Sequence, residues 1–296
     1  DRLATAIDKN ASKRLELQKI FVWIGRAKHI SISDYCDVVV GLDKKSNALH
    51  YASLLFLVAA IVFTCVINPV IGIWLCIAAV AFSIITYYKF KAGVDRYFIC
   101  VNHIVKLLMG AGKITALNVD FLEEYNIKLK NITEDLSDIM KRSWLLETGN
   151  VDGSIMEMAL DYLRMLTHAD LIKFNNLIKL FHDKEKRIYE LIDTLGFIES
   201  SIAIASFRNM LDAWCIPEFK NDSDMQLEVK NVYHPLIKKP VANSISTKHN
   251  VLLTGSNASG KSTFLKTIAV NALLSQTIYT SVSDYYKAPV YRIYSS

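Results

Sequence analysis

Val251-Leu252-Leu253-Thr254-Gly255-Ser256-Asn257-Ala258-Ser259-Gly260-Lys261-Ser262-Thr263-Phe264-Leu265-Lys266 is the stretch that decides how the last third of this chain folds. Its first four residues form a short apolar run of the kind that makes a buried strand. The next nine fit Gly, four residues, Gly-Lys-Ser/Thr, the pattern of a phosphate-binding loop, and a helix opens at Phe264. Strand, glycine loop and helix stand in the order the chemistry requires. Gly255 and Gly260 let the backbone turn tightly, so that successive N–H groups point into one concavity at a helix N-terminus, where the dipole also favours an anion. In such a loop Lys261 reaches the outer phosphates, Ser262 ligates Mg²⁺ through its hydroxyl, and Thr263 adds a second hydroxyl at the helix start. The expected ligand is therefore ATP with Mg²⁺, held by Gly255, Ser256, Asn257, Ala258, Ser259, Gly260, Lys261, Ser262 and Thr263.

Working outward, Met225-Gln226-Leu227-Glu228-Val229-Lys230 alternates as a half-buried strand does. Tyr233-His234-Pro235-Leu236-Ile237 and Val241-Ala242-Asn243-Ser244-Ile245 lead to the loop, and Val290-Tyr291-Arg292-Ile293-Tyr294 reads as a further strand. Residues 214–296 are thus expected to be the beginning of an α/β domain. Nothing from Ala269 to Ser296 fits an acidic strand ending in Asp-Glu, so no catalytic carboxylate is assigned and this stretch is not expected to turn ATP over. The chain begins at Asp1 without Met and ends shortly after the loop, which reads as a piece of a longer protein.

The composition directs attention to a membrane. Of 296 residues 52% are hydrophobic, and from Tyr51 to Tyr88 there is no charged side chain at all. Asn68-Pro69 divides that run into 51–67 and 70–88, each close to the length that crosses a bilayer. Two antiparallel transmembrane helices are expected. Lys44 and Lys45 precede the pair and Lys89 and Lys91 follow it, so both ends are expected in the cytoplasm, with the hairpin in the cell (inner) membrane. The net charge of +5 is mild and requires no nucleic-acid partner. Five cysteines (Cys36, Cys65, Cys76, Cys100 and Cys215) at irregular spacing do not make a disulfide framework, and the histidines form no metal-ligand pattern, so no structural zinc is expected.

Between membrane run and loop the pattern is that of long amphipathic helices. Leu122, Tyr125, Leu129, Ile132, Leu136 and Ile139 step by three and four residues, as do Ile188, Leu191, Leu195, Ile198 and Ile202. Shorter helices are expected near 155–166 and 171–181. The fold class is then mixed. An all-α core and lever region (1–47 and 92–213) carries a two-helix transmembrane hairpin (48–91), and the start of an α/β phosphate-loop ATPase domain (214–296) follows.

Long helices, then His234-Pro235-Leu236-Ile237, then Val241-Ala242-Asn243, then Thr254-Gly255-x-Asn257-x-x-Gly260-Lys261-Ser262-Thr263 resembles the MutS family of DNA mismatch repair ATPases. Tyr291-Arg292-Ile293 is similar to that family's Asp-Arg-Ile strand. The resemblance implies ATP hydrolysis coupled to lever movement and DNA binding, with ATPase domains paired as a homodimer. It implies that Asn257 senses the terminal phosphate and that 241–243, Asn243 included, lies beside the adenine. Ser256, Ala258 and Ser259 depart from the family's Pro, Met and Gly, toward the wider ABC-type ATPases. No mismatch-reading domain is visible, and a membrane hairpin points to a divergent, membrane-anchored branch. An ABC-type transporter half and a nucleotide-gated membrane scaffold that never touches DNA are the alternatives.

Overall fold

The computed structural model describes residues 1–25, 34, 37–39, 41–43, 45–143, 155–220, 226–256 and 259–294. Asn257 and Ala258 of the loop, Lys44 and Cys36 lie outside the described residues. The chain forms two compact units, Glu16–Phe197 and a second made of Asp1–Leu15 with Ile198–Ser296. The described part is mostly helical, with one small mixed sheet.

In the unit Glu16–Phe197, helix α3 (Ala48–Val66) and helix α4 (Pro69–Ala116) make the expected hairpin. Its turn is built from local chemistry. Pro69 sits where a helix needs no N–H donor, and the Asn68 side chain accepts from the backbone N–H groups of Val70 (3.0 Å) and Ile71 (3.2 Å). The helices approach closely because Gly72 has no side chain: a Cβ there would lie 2.4 Å from the Cα of Thr64. Many large apolar residues of the hairpin point outward, among them Leu55 (71% exposed), Val70 (71%) and Trp74 (70%).

The second helix does not stop near Tyr88. It continues without a break through Lys89 and Lys91 to Ala116, 48 residues or about 72 Å. No Pro or capping residue interrupts it there, and charge alone does not end a helix. Three stretches rather than two are therefore long and apolar enough to cross a membrane: Ala48–Val66, Pro69–Val94 and Tyr97–Ala116. They differ in surroundings. The first two are 17% and 28% buried inside the protein and the third 56%, because Val101, Ile104, Leu108, Ala111 and Ile114 are core residues of the helical unit. The third owes its hydropathy to the protein interior.

Around α4 pack α5 (Glu123–Asp135), α6 (Ser137–Ser143), α7 (Ile155–Thr167) and α8 (Ala169–Asp183). The first heptad pattern is not one helix: a 3₁₀ turn (Asp120–Leu122), α5 and α6 divide it. Five of its six seam residues, Leu122, Leu129, Ile132, Leu136 and Ile139, are nevertheless buried and Tyr125 is half-buried, since the break at Leu136 keeps the apolar face turned inward. The second pattern is one helix, α9 (Glu185–Asn209), and all five of its seam residues are buried.

The other unit holds α1 (Arg2–Lys9), the first residues of α2 (Ala11–Ile24) and a four-stranded sheet of β1 (Glu218–Phe219), β2 (Leu227–Val232), β3 (Asn243–Thr247) and β4 (Tyr285–Ala288), in the order β1-β4-β2-β3. Only β1 and β4 are parallel; β4 pairs antiparallel with β2 (Val229 opposite Tyr286) and β2 with β3 (Leu227 opposite Thr247). An irregularity before Val232, where Asn231 takes a left-handed φ of +51°, returns Val232 to the face of Val229. Val229, Val232, Tyr286 and Ala288 form the core, with Ile268 of helix α10 (Lys261–Ile278) packed on them.

Two expected strands are corrected. Val251–Thr254 makes no ladder bonds; Val251 and Leu253 border a cavity of about 450 Å³ whose other wall includes Leu227 and Ile245 of the sheet. Without a paired neighbour the run stays outside the sheet, with Leu252 88% exposed. The strand expected at 290–294 is formed earlier, at Tyr285–Ala288, where Tyr286 and Ala288 alternate inward and Pro289 then ends the ladder.

The crowded hairpin crossing gives a direct test. Gly72→Ala should cost about 1–3 kcal/mol in thermal or denaturant unfolding in detergent, because backbone must move. Gly93→Ala, with open space around it, should be neutral or stabilising by up to about 1 kcal/mol. Equal effects at both positions would refute the close crossing.

Candidate functional site

The sequence around the glycine loop dictates its local shape. Gly260 caps α10 with φ +84°, a left-handed backbone that side chains disfavour, and Phe264 N–H returns to the Gly260 carbonyl at 2.9 Å to start the helix. At Gly255 the constraint is space, since a Cβ would lie 3.0 Å from Ser259 Oγ and 3.6 Å from Lys261 Cδ. The Lys261 ammonium lies inside the turn and donates to the carbonyls of Gly255 and Ser256.

This loop forms one wall of an open cavity of about 830 Å³. Gly255, Ser256, Ser259, Gly260, Lys261, Thr263 and Asn243 all line it. Ser262 does not; it is exposed on the first turn of α10. Opposite the loop stand His234, whose Nδ1 accepts from the Leu236 N–H at 3.2 Å, and Asn243, whose amide donates to the Val241 carbonyl at 3.0 Å. Sequence reasoning missed Lys239, Ile237, Phe264 and Thr267, which also line the cavity. Their signal was position alone: Lys239 follows the His-Pro segment and Phe264 and Thr267 share a helical face with Lys261. Among the described residues no group of three metal-ligating side chains occurs, and what gathers here is a pair of lysines with backbone N–H groups and hydroxyls. That set suits a phosphorylated ligand.

Helix α10 is fixed to the sheet by Asn271, a residue with no motif to announce it. Its fully buried amide donates to the carbonyls of Tyr233 (3.2 Å) and Thr267 (3.0 Å), while its Oδ1 accepts from the Val282 N–H (2.6 Å) and the Ser281 hydroxyl (3.2 Å). Five residues on, Gln276 holds Tyr291 by both backbone groups, N–H to Oε1 at 2.7 Å and Nε2–H to the carbonyl at 3.0 Å. Burial pushes the phenols of Tyr286 and Tyr291 and the thiol of Cys215 above their ordinary values, so all three are neutral at physiological pH. On the exposed edge of the sheet Lys287 hydrogen-bonds the Glu218 carboxylate from 2.9 Å and holds it below its usual range.

The chain is 31% identical over 128 residues to MutS protein homolog 4 of Mus musculus, a match covering 40% of this chain and 13% of that protein. The human MutS protein homolog 4 is 27% identical over the same length. Endonuclease MutS2 of Streptococcus pyogenes serotype M5 (strain Manfredo) is 40% identical over 72 residues, 23% of this chain and 9% of that protein. The chain is a distant, partial relative of the MutS proteins. No family model matches it. The likeness supports the resemblance read from the motifs for part of the chain; it carries no support for a membrane-anchored branch.

The Asn271 hub is testable by itself. Asn271→Leu keeps the branched side-chain shape but strands the Val282 N–H and the Tyr233 carbonyl, an expected loss of about 2–4 kcal/mol in denaturant unfolding. A change under about 0.5 kcal/mol would show that α10 is held by other means.

Proposed function

We propose that this chain is the anchoring and nucleotide-binding part of a MutS-like ATPase at a membrane, in which occupancy of the glycine loop governs a grip on DNA. One observation carries this reading: Lys261 lies within a loop that ends on the N-terminus of α10 and opens on a cavity with a second lysine, Lys239.

The cavity volume is in the range that accommodates a nucleotide-sized ligand. A side chain at Gly255 would crowd the loop at Ser259 and Lys261, so the glycine keeps the cradle open. ATP with Mg²⁺ supplies the phosphoanhydride whose hydrolysis the complete protein uses. Lys261 exchanges its two carbonyl partners for phosphate oxygens, Gly260 and the first turn of α10 present N–H donors, and Thr263 faces the same space. Ser262, exposed on the same first turn of α10, would hold Mg²⁺ through its side-chain hydroxyl. Asn243 and the 241–243 segment take the base, and Asn257 senses the terminal phosphate, as the resemblance implies. Two copies pair through the ATPase domain.

For the membrane, α3 and the first part of α4 supply two apolar stretches whose side chains point outward, with Lys45 before them and Lys89 and Lys91 after. The hairpin anchors the chain and leaves its soluble parts in the cytoplasm. The name of the bacterial relative, an endonuclease, is consistent with a nucleic-acid substrate for the whole protein.

Lys261→Ala should weaken Mg-ATP binding by tenfold or more, about 1.4 kcal/mol or above, in a fluorescent-nucleotide titration. Unchanged affinity would overturn the nucleotide reading. The chain expressed in bacteria should stay in the membrane pellet after alkaline carbonate extraction, and release into the supernatant would remove the anchor. Binding of duplex DNA by the complete protein should fall linearly in log K with log salt, whereas no binding at low salt would leave a nucleotide-gated scaffold.

A further inference from the structure

Arg208, next to the last residue of α9, is 2% exposed, yet its guanidinium carries a full charge and uses nearly every donor it has. Nε–H donates to Thr280 Oγ1 at 2.9 Å, and Nη2 donates to the carbonyls of Tyr279 (3.0 Å) and Ile278 (3.2 Å). Nη2 also meets the Asp1 carboxylate at 2.8 Å, Nη1 reaches Thr5 Oγ1 at 3.4 Å, and the guanidinium carbon stands 4.4 Å from the centre of the Trp214 ring. Burial draws the Arg208 pKa down and Asp8 opposes it, but a guanidinium remains protonated through the physiological range.

The identity of these acceptors matters. Ile278 and Tyr279 are the last residue and the C-cap of α10, with Tyr279 in the left-handed conformation, so their carbonyls are ones that no further helical turn can satisfy. A cation at that end also complements the helix dipole. The opposite end of the same helix is Lys261. An α-helix of this length, about 27 Å, moves as a rod, so a displacement of its first turn appears at its last carbonyls. There it meets a planar fork that also holds Asp1 and Thr5 at the start of the chain.

We propose that Arg208 is a positioning residue that couples the glycine-loop end of α10 to the end of α9 and to α1. This rests on the nucleotide reading of the loop and adds to it the residue through which occupancy is transmitted. Arginine is required because the contact is a fork with fixed angles; a lysine at the same place keeps the charge but can aim its ammonium at only part of the set.

The test uses the full chain in detergent, with Mg-ATP as the probe and hydrogen–deuterium exchange as the readout. In the wild type Mg-ATP should slow exchange in 261–283 and also in 198–209. Arg208→Lys and Thr280→Val should bind Mg-ATP within about a factor of five of wild type and keep the protection at 261–283. Both should lose roughly half or more of the protection at 198–209. A residue that merely stabilised the fold would lower the melting temperature without separating the two segments, and that result overturns the proposal. Full protection of 198–209 in both variants overturns it as well, while leaving the nucleotide reading intact. Failure of the wild type to bind Mg-ATP overturns the nucleotide reading, and the coupling with it.

Discussion

Four hydrogen bonds to one buried amide hold the helix that follows the glycine loop. Asn271 satisfies groups from the end of β2, from the turn before β4 and from its own helix, and it does so where water has no access. An unmade bond in such a place costs more than a made one contributes, so the arrangement is all or nothing. The loop at Gly255 and Gly260 is exposed and gains little from burial. Its position is inherited from α10, and the position of α10 is inherited from Asn271, Gln276 and Ile268. The chemistry of the cavity therefore depends on residues that no phosphate-loop pattern includes.

How much of this could be read in advance follows the same division. The hairpin was legible because a charge-free run interrupted by Asn-Pro leaves few choices, and the seam residues of α5 and α9 were legible because their spacing survives a helix break. That Gly255, Ser256, Ser259, Gly260, Lys261 and Thr263 border one cavity was legible, because a glycine turn before a helix gathers its neighbours by local geometry; Ser262 was read with them and faces away from it. The strands were less so. The run at 251–254 has the composition of a buried strand, but a strand exists only when its backbone groups find a partner, and the partner is a matter of tertiary contact. The length of α4 escaped for the opposite reason: composition changes at Lys89 while the helical backbone does not. Asn271 and Arg208 escaped because a buried polar residue and an exposed one look alike until the fold is known.

The long α4 also changes what the apolar hairpin means for this chain. Its first part carries outward apolar side chains and its last part is core, within one uninterrupted ladder of backbone hydrogen bonds. No linker separates the two environments. A helix that begins with exposed apolar side chains and ends among α5, α6, α7 and α8 ties the hairpin to the helical unit as a single piece. The mean hydropathy of the whole chain, +0.23, then has two sources, the outward apolar face of the hairpin and the core of the helical unit.

What fixes the hairpin against the rest of its unit is polar. Apolar contacts alone do not single out one register for a pair of helices, so close packing and hydrogen bonds must set it. Gly72 against Thr64 supplies the packing. The hydrogen bonds lie at the base of the hairpin. His168 donates from Nε2 to the Ser83 carbonyl at 3.0 Å, which leaves its Nδ1 to accept from His50 Nδ1 at 2.9 Å. Asn47 bonds to Asn175 (2.8 Å) and Asn176 (2.9 Å), and the Tyr87 hydroxyl donates to Asp170 at 2.8 Å. Each bond joins the hairpin to α8 or to its cap, and each needs one particular neighbour. Leucines at these sites would hold the helices together in many registers; these side chains hold them in one, and α4 carries that register into the helical unit.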